Sequence, residues 1–131
     1  MSRRTLKNLF DSIFPPTINH GFEEDLMGAT KKVVTLAAET VVSLDFGEDK
    51  FIELALGSAN ITINAVVTGL KPGEQCYLKI IQDATGARTV AFGTNMVENL
   101  TVTASTDAID LFMGIFDGTN IIFGPLAQDV S

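Results

Sequence analysis

Four carboxylates fall close together in this chain, Asp45, Glu48, Asp49 and Glu53. Two carboxyl groups on either side of a glycosidic bond can hydrolyse it, one as acid and the other as base or nucleophile. A tight acidic turn can instead hold calcium through oxygen ligands. The spacing does not fit a twelve-residue calcium loop, and three of the four crowd into one turn, which suits a solvated loop; hydrolysis would have to rest on Asp45, Glu48 or Glu53. His20 is the single histidine and has no cysteine near it, so a zinc site lacks its ligands. Cys76, the single cysteine, sits in an alternating strand and reads as a small buried hydrophobe rather than a nucleophile. There is no Gly-x-Ser-x-Gly elbow, phosphate-cradling loop or dinucleotide fingerprint. The chain is therefore not expected to be an enzyme, and no catalytic residue, metal ligand or cofactor is assigned.

The elements that would position such groups are strands. From about residue 31 the hydrophobic pattern has period two, with candidate strands at Val33–Ala37, Val41–Phe46, Phe51–Ala55, Ile61–Val67, Cys76–Gln82, Arg88–Phe92, Leu100–Thr103, Ile109–Phe116 and Asn120–Phe123. Turn chemistry separates them at Gly47-Glu48-Asp49, Gly57-Ser58-Ala59-Asn60, Gly69-Leu70-Lys71-Pro72-Gly73, Thr85-Gly86 and Asp117-Gly118-Thr119-Asn120. Eight to nine short strands with such turns predict an all-β fold, an antiparallel β-sandwich or jelly roll. No repeat at a solenoid period is visible. Asn60-Ile61-Thr62 and Asn99-Leu100-Thr101 match glycosylation acceptors in form but read as strand residues.

Residues 1–30 differ in character from the β-domain expected over 31–131. Leu6, Leu9, Phe10, Ile13 and Phe14 fall on one helical face, and Pro15-Pro16 stops the helix. Thr17 to Thr30 then reads as an extended linker. A helix this short is marginal in water and must pack on something. It could fold onto its own β-domain, bundle with copies of itself, or dock as an anchoring arm into a capsid or tail protein, with Pro15 and Pro16 setting the direction of exit.

The composition narrows the partners. The net charge of −7 opposes the phosphate neutralisation on which nucleic-acid binding rests, and no apolar run is long enough to span a bilayer. Arg3, Arg4 and Lys7 form a small basic cluster, but no export signal follows it. Hydrophobic residues make up 46% of the chain, more than one small monomer readily hides, which predicts an oligomer. Alternation through Ile109–Phe116 puts Phe112 and Phe116 opposite Ile109, Leu111, Met113 and Ile115, and Asn120–Phe123 is apolar on both faces. In a sandwich Phe112, Phe116 and Ile122 would then lie on an outer face, covered either by a second copy or by the N-terminal segment.

The run Gln75 to Phe92 reads as a β-hairpin turning at Gly86, with Asp83 and Arg88 paired across the turn to fix its register. Together with Thr103 to Phe112 and Phe116-Asp117-Gly118-Thr119-Asn120, this run resembles the small β-sandwich modules of bacteriophage virion proteins, found in short fibres, tail-fibre tips and head decorations. The resemblance covers about residues 60 to 124. It implies a structural or adhesive virion component and favours a homotrimer. The tryptophans such modules often carry are absent, and Tyr77 is the single tyrosine. An adhesive role would place host surface glycan in loops such as Gly57–Asn60 or Asp117–Asn120.

Overall fold

The computed structural model describes residues 31–98 and 101–130. It is all-β among the described residues, with β1 (Lys32–Thr35), β2 (Val41–Asp45), β3 (Phe51–Ala55), β4 (Ile61–Val66), β5 (Gln75–Ile81), β6 (Val90–Phe92), β7 (Met96–Glu98), β8 (Ile109–Phe116) and β9 (Ile121–Ala127). The expected helix over the N-terminal arm, together with Leu6, Leu9, Phe10, Ile13, Phe14, Pro15, Pro16 and His20, lies outside the described residues.

The strands form a six-stranded sheet in the order β1-β3-β5-β8-β9-β7 and a three-stranded sheet in the order β2-β4-β6. Within each sheet the successive coils pair in parallel: Lys32 opposite Ile52, Phe51 opposite Tyr77, Val41 opposite Thr62 and Ile61 opposite Val90. Each coil puts one strand in each sheet, first β1 and β2, then β3 and β4, then β5 and β6. The result is a parallel β-solenoid of three turns, which overturns the expected antiparallel sandwich or jelly roll. The physical reason lies at the corners. Each short turn carries the chain across to the other sheet, where its backbone bonds to the next coil, as Phe46 N–H does to Val66 C=O at 3.1 Å and Leu36 N–H to Ala55 C=O at 3.0 Å. Strand alternation sorts side chains onto two faces but says nothing about the direction of the neighbouring strand.

The inward sets stack coil upon coil. Ile52, Leu54, Cys76, Leu78 and Ile80 from the larger sheet meet Leu44, Phe46, Ile61, Ile63 and Ala65 from the smaller, all buried in one core. Gln75–Phe92 is accordingly not a hairpin, because β5 and β6 belong to different sheets and residues 82–89 form a corner between them. After β6 the chain returns to the larger sheet as β7, parallel to β9, while the antiparallel pair β8 and β9 stands between β5 and β7. That hairpin fills the position a fourth parallel rung would take beside β5.

The inserted hairpin reverses the facing expected for Phe112 and Phe116. Both are buried in the main core, at 0% and 5% exposure, with Phe112 meeting Phe92 edge-on at 6.4 Å. Their partners across alternation, Leu111, Met113 and Ile115, point outward, where Leu111 joins Phe51, Tyr77 and Ala127 in a second, smaller cluster. Thr101–Thr103 is not a strand, although Val102 still reaches the core; β7 takes that place a few residues earlier.

Cys76 is fully buried on the inner face of β5, and desolvation pushes its thiol up to about 11. A thiol is nucleophilic only as thiolate. Iodoacetamide at pH 8 should therefore leave the folded chain unmodified and label it rapidly in denaturant, as read by intact mass; fast labelling of the native chain would contradict the burial of β5.

Candidate interaction surface

The acidic residues do not converge on one site. Asp45 Oδ1 accepts from Glu48 N–H at 3.1 Å, and Asp45 C=O accepts from Asp49 N–H at 2.9 Å, so these groups close the β2–β3 corner. Lys50 at that corner donates to the Phe46 and Gly47 carbonyls and pairs with Glu74 at 3.4 Å. Glu53 lies apart on the outer face of β3, bridged by Lys31 at 3.0 Å and Lys79 at 3.2 Å. Among the described residues no group of three or more His, Cys, Asp or Glu side chains could hold a metal ion.

The polar residues of the sequence signature are also engaged, each in holding a corner. Gln82 is 2% exposed and makes four hydrogen bonds: its Nε2 donates to the Arg88 and Thr103 carbonyls at 3.1 and 2.9 Å, and its Oε1 accepts from Asp83 and Arg88 N–H at 3.0 and 3.2 Å. Arg88 Nε donates to Asp83 Oδ2 at 3.2 Å, the pairing expected from the sequence. Gly86 takes a φ of 82° and packs against the Ala104 carbonyl, where an added Cβ would come within 2.9 Å. Ala87 N–H donates to that same carbonyl. The two halves of the signature are thus clamped together, and the second half is locked in turn by Asp110. This buried carboxylate accepts from Thr103 N–H at 2.6 Å, Thr103 Oγ1 at 2.7 Å and Asp129 N–H at 2.9 Å.

The two loops considered for glycan are similarly occupied. Asn60 Oδ1 accepts from Thr89 N–H, and Ser58 bonds to Ala37 C=O through both its N–H and its hydroxyl. Asp117 Oδ1 accepts from Asn120 and Thr119 N–H at 2.7 and 2.8 Å, and those two donors hold its carboxyl below the ordinary value.

Part of what the fold leaves exposed is apolar. Ile115 on β8 lies opposite Ile122 on β9, which lies opposite Val97 on β7, so three side chains form one row across the outer face of the larger sheet. Their exposures are 41%, 49% and 47%. Of the three residues assigned to self-association from sequence, Ile122 stands in this row, whereas Phe112 and Phe116 are enclosed by their own subunit. Ile115 and Val97 were missed. The sequence reading puts Ile115 on the face opposite Ile122, and the three-residue β7 is too short to show alternation. The structure settles the facing at Gly114: an added Cβ there would fall 2.5 Å from Ile121 and 2.8 Å from Phe123, so Gly114 faces the packed interior and Ile115 faces outward.

No curated protein matches this chain. A family model described as "Putative phage tail fibre C-terminal domain" matches residues 45–121, which span the acidic corner, the signature corner, the row's Ile115 and the Asp117 turn. With more than half of its length matched, this chain belongs to the phage tail fibre C-terminal domain family.

Proposed function

We propose that the chain is a non-enzymatic structural subunit of a phage tail fibre, held to the particle by its N-terminal arm and assembled with copies of itself. The observation that carries this reading is where the polar side chains are spent. Gln82, Asp83, Arg88, Asp110 and Asp117 are all bonded within the coil stack, while the outer face offers a neutral row of large apolar residues. A site for chemistry would keep pairs of polar groups free and facing one cleft. The internal bonding of Asn60 and Asp117 favours the structural role over glycan capture at those loops.

In this reading Leu6, Leu9, Phe10, Ile13 and Phe14 supply apolar anchoring to a tail protein of the virion, and Pro15 and Pro16 direct the chain away from it. The outer row around Ile122 joins copies, with a homotrimer as the expected state. Among the described residues no helix is long and apolar enough to cross a membrane.

Deleting residues 1–16 should release the protein from particles while leaving the circular dichroism of the β-domain intact. Particles that retain the truncated chain at full occupancy would remove the anchoring role.

A further inference from the structure

The stack of coils is finished at one end and open at the other. At the finished end the edge strands β6 and β7 have three residues each, and Pro125 in β9, which has no N–H to offer, lies just beyond the stretch that β7 covers. Short edges and proline discourage pairing with a further strand. At the end where the chain enters, β1 and β2 head the two sheets with four and five residues, free of proline, glycine and bulges. Phe46 N–H bonds to Val66 C=O and Thr62 N–H to Thr40 C=O, so the backbone groups of the alternate residues Val41 and Ser43 turn away from β4, and no strand among the described residues pairs with them there. Val41 and Val33, on these two edges, are 58% and 53% exposed, more than any other large apolar residue described. Such an edge is a template for one more strand.

We propose that residues 21–26 of the same chain add as a parallel strand along the open edge of β2 and cap the stack. Three features identify this occupant. It is the segment next in line: five residues, 27–31, separate it from β1, as five, 46–50, separate β2 from β3, and Gly28 falls in that corner as Gly47 does in the following one. Its distance is that of one coil. At the 20-residue spacing that sets Lys32 opposite Ile52, Phe22 and Leu26 fall opposite Val42 and Phe46, both of which pack in the main core. Its charge is that of a terminal strand: alternation puts Glu23 and Asp25 outward and Glu24 inward opposite Leu44, and charges so placed, inward ones included, keep a further strand from adding. A stack of coils needs such a polar cap at its end. Residues 1–16 lie outside the added strand, so the capping does not depend on the anchoring reading.

The test uses full-length chains carrying two added cysteines. Glu23→Cys with Ser43→Cys, which the 20-residue spacing sets opposite each other on the outer face, should oxidise to an intramolecular disulfide, read as a loss of two hydrogens in intact mass. Glu23→Cys with Val33→Cys should keep its thiols, because Val33 stands on the other sheet although it is nearer in sequence. In a chain carrying both Phe22→Asp and Leu26→Asp the Ser43 amide should exchange about tenfold faster or more than in the unmodified chain, with circular dichroism unchanged. Disulfides formed equally in both cysteine variants would mean a segment that is not seated on β2, and a product of twice the chain mass would give the edge to a second copy. Either result, the absence of a disulfide from the first variant, or unchanged exchange at Ser43 overturns the proposal.

Discussion

Gly57→Ala should lower the stability of the β-domain by about 3 kcal/mol or more, a loss at the severe end for a single methyl group. Gly57 follows the end of β3, where one coil's corner rests on the preceding one. An added Cβ would lie 2.0 Å from the Ala37 carbonyl oxygen and 2.7 Å from both the Ala37 carbonyl carbon and the Leu36 carbonyl oxygen. All three atoms are backbone, so no rotamer change relieves the overlap. The Ala37 carbonyl cannot withdraw without losing its bond from Ser58 N–H at 2.7 Å, which ties the two coils together. Since a domain of this size is stable by roughly 5–15 kcal/mol, the loss should appear as a large fall in the urea midpoint. Equal midpoints for Gly57→Ala and the unmodified chain would mean the corners do not stack as described.

Gln82→Leu should cost about 4 kcal/mol or more, because it strips partners from two carbonyls and two N–H groups at once in a place water reaches poorly, at roughly 1 kcal/mol at the least for each group left unpaired. The substitution is close in volume, so the loss reports hydrogen bonding rather than a cavity. Two of the four bonds hold Arg88, and a third holds Thr103 from the following loop. Their removal should loosen the corner and speed tryptic cleavage after Arg88. Asp83→Asn, which weakens the part-buried pair with Arg88 and the bond that Asp83 Oδ2 accepts from Thr85 N–H, should lower the urea midpoint far less and leave the cleavage rate close to the unmodified value. If Asp83→Asn proved as damaging as Gln82→Leu, the ion pair and not the buried amide would be holding the corner.

The contrast between Gln82 and Asp83 shows what could be read from sequence. Most strand positions were legible because alternation is local: Ile61, Ile63 and Ala65 point inward as period two requires, and so do Cys76, Leu78 and Ile80. The Asp83–Arg88 pair was legible because both ends flank one turn. The parallel pairing was not, since it depends on which sheet each corner enters. The coils also differ in length. Val41 pairs with Thr62, 21 residues on, but Ile61 pairs with Val90, 29 residues on, so no fixed repeat betrays the solenoid. Reading residues 75–92 as a hairpin followed from the glycine at 86, yet the same positive φ serves a corner equally well. The facing of Phe112 and Phe116 was misread for a related reason. Alternation separates two faces, and only the packing of β8 between β5 and β9 decides which of them is the interior.

That the phage tail fibre domain is built from coils stacked in parallel is most directly tested on the smaller sheet, whose outer face carries Val41, Thr62 and Val66. In the parallel register Val41 lies opposite Thr62 and Asp45 opposite Val66. Neighbouring strands stand about 4.8 Å apart, within the range a disulfide can span. Four residues along a strand add roughly 13 Å, which it cannot. The double variant Val41→Cys with Thr62→Cys should therefore oxidise to an intramolecular disulfide, seen as a loss of two hydrogens in intact mass, while Val41→Cys with Val66→Cys should keep both thiols free. A disulfide in the second variant and none in the first is the outcome of antiparallel pairing, and it would contradict the solenoid.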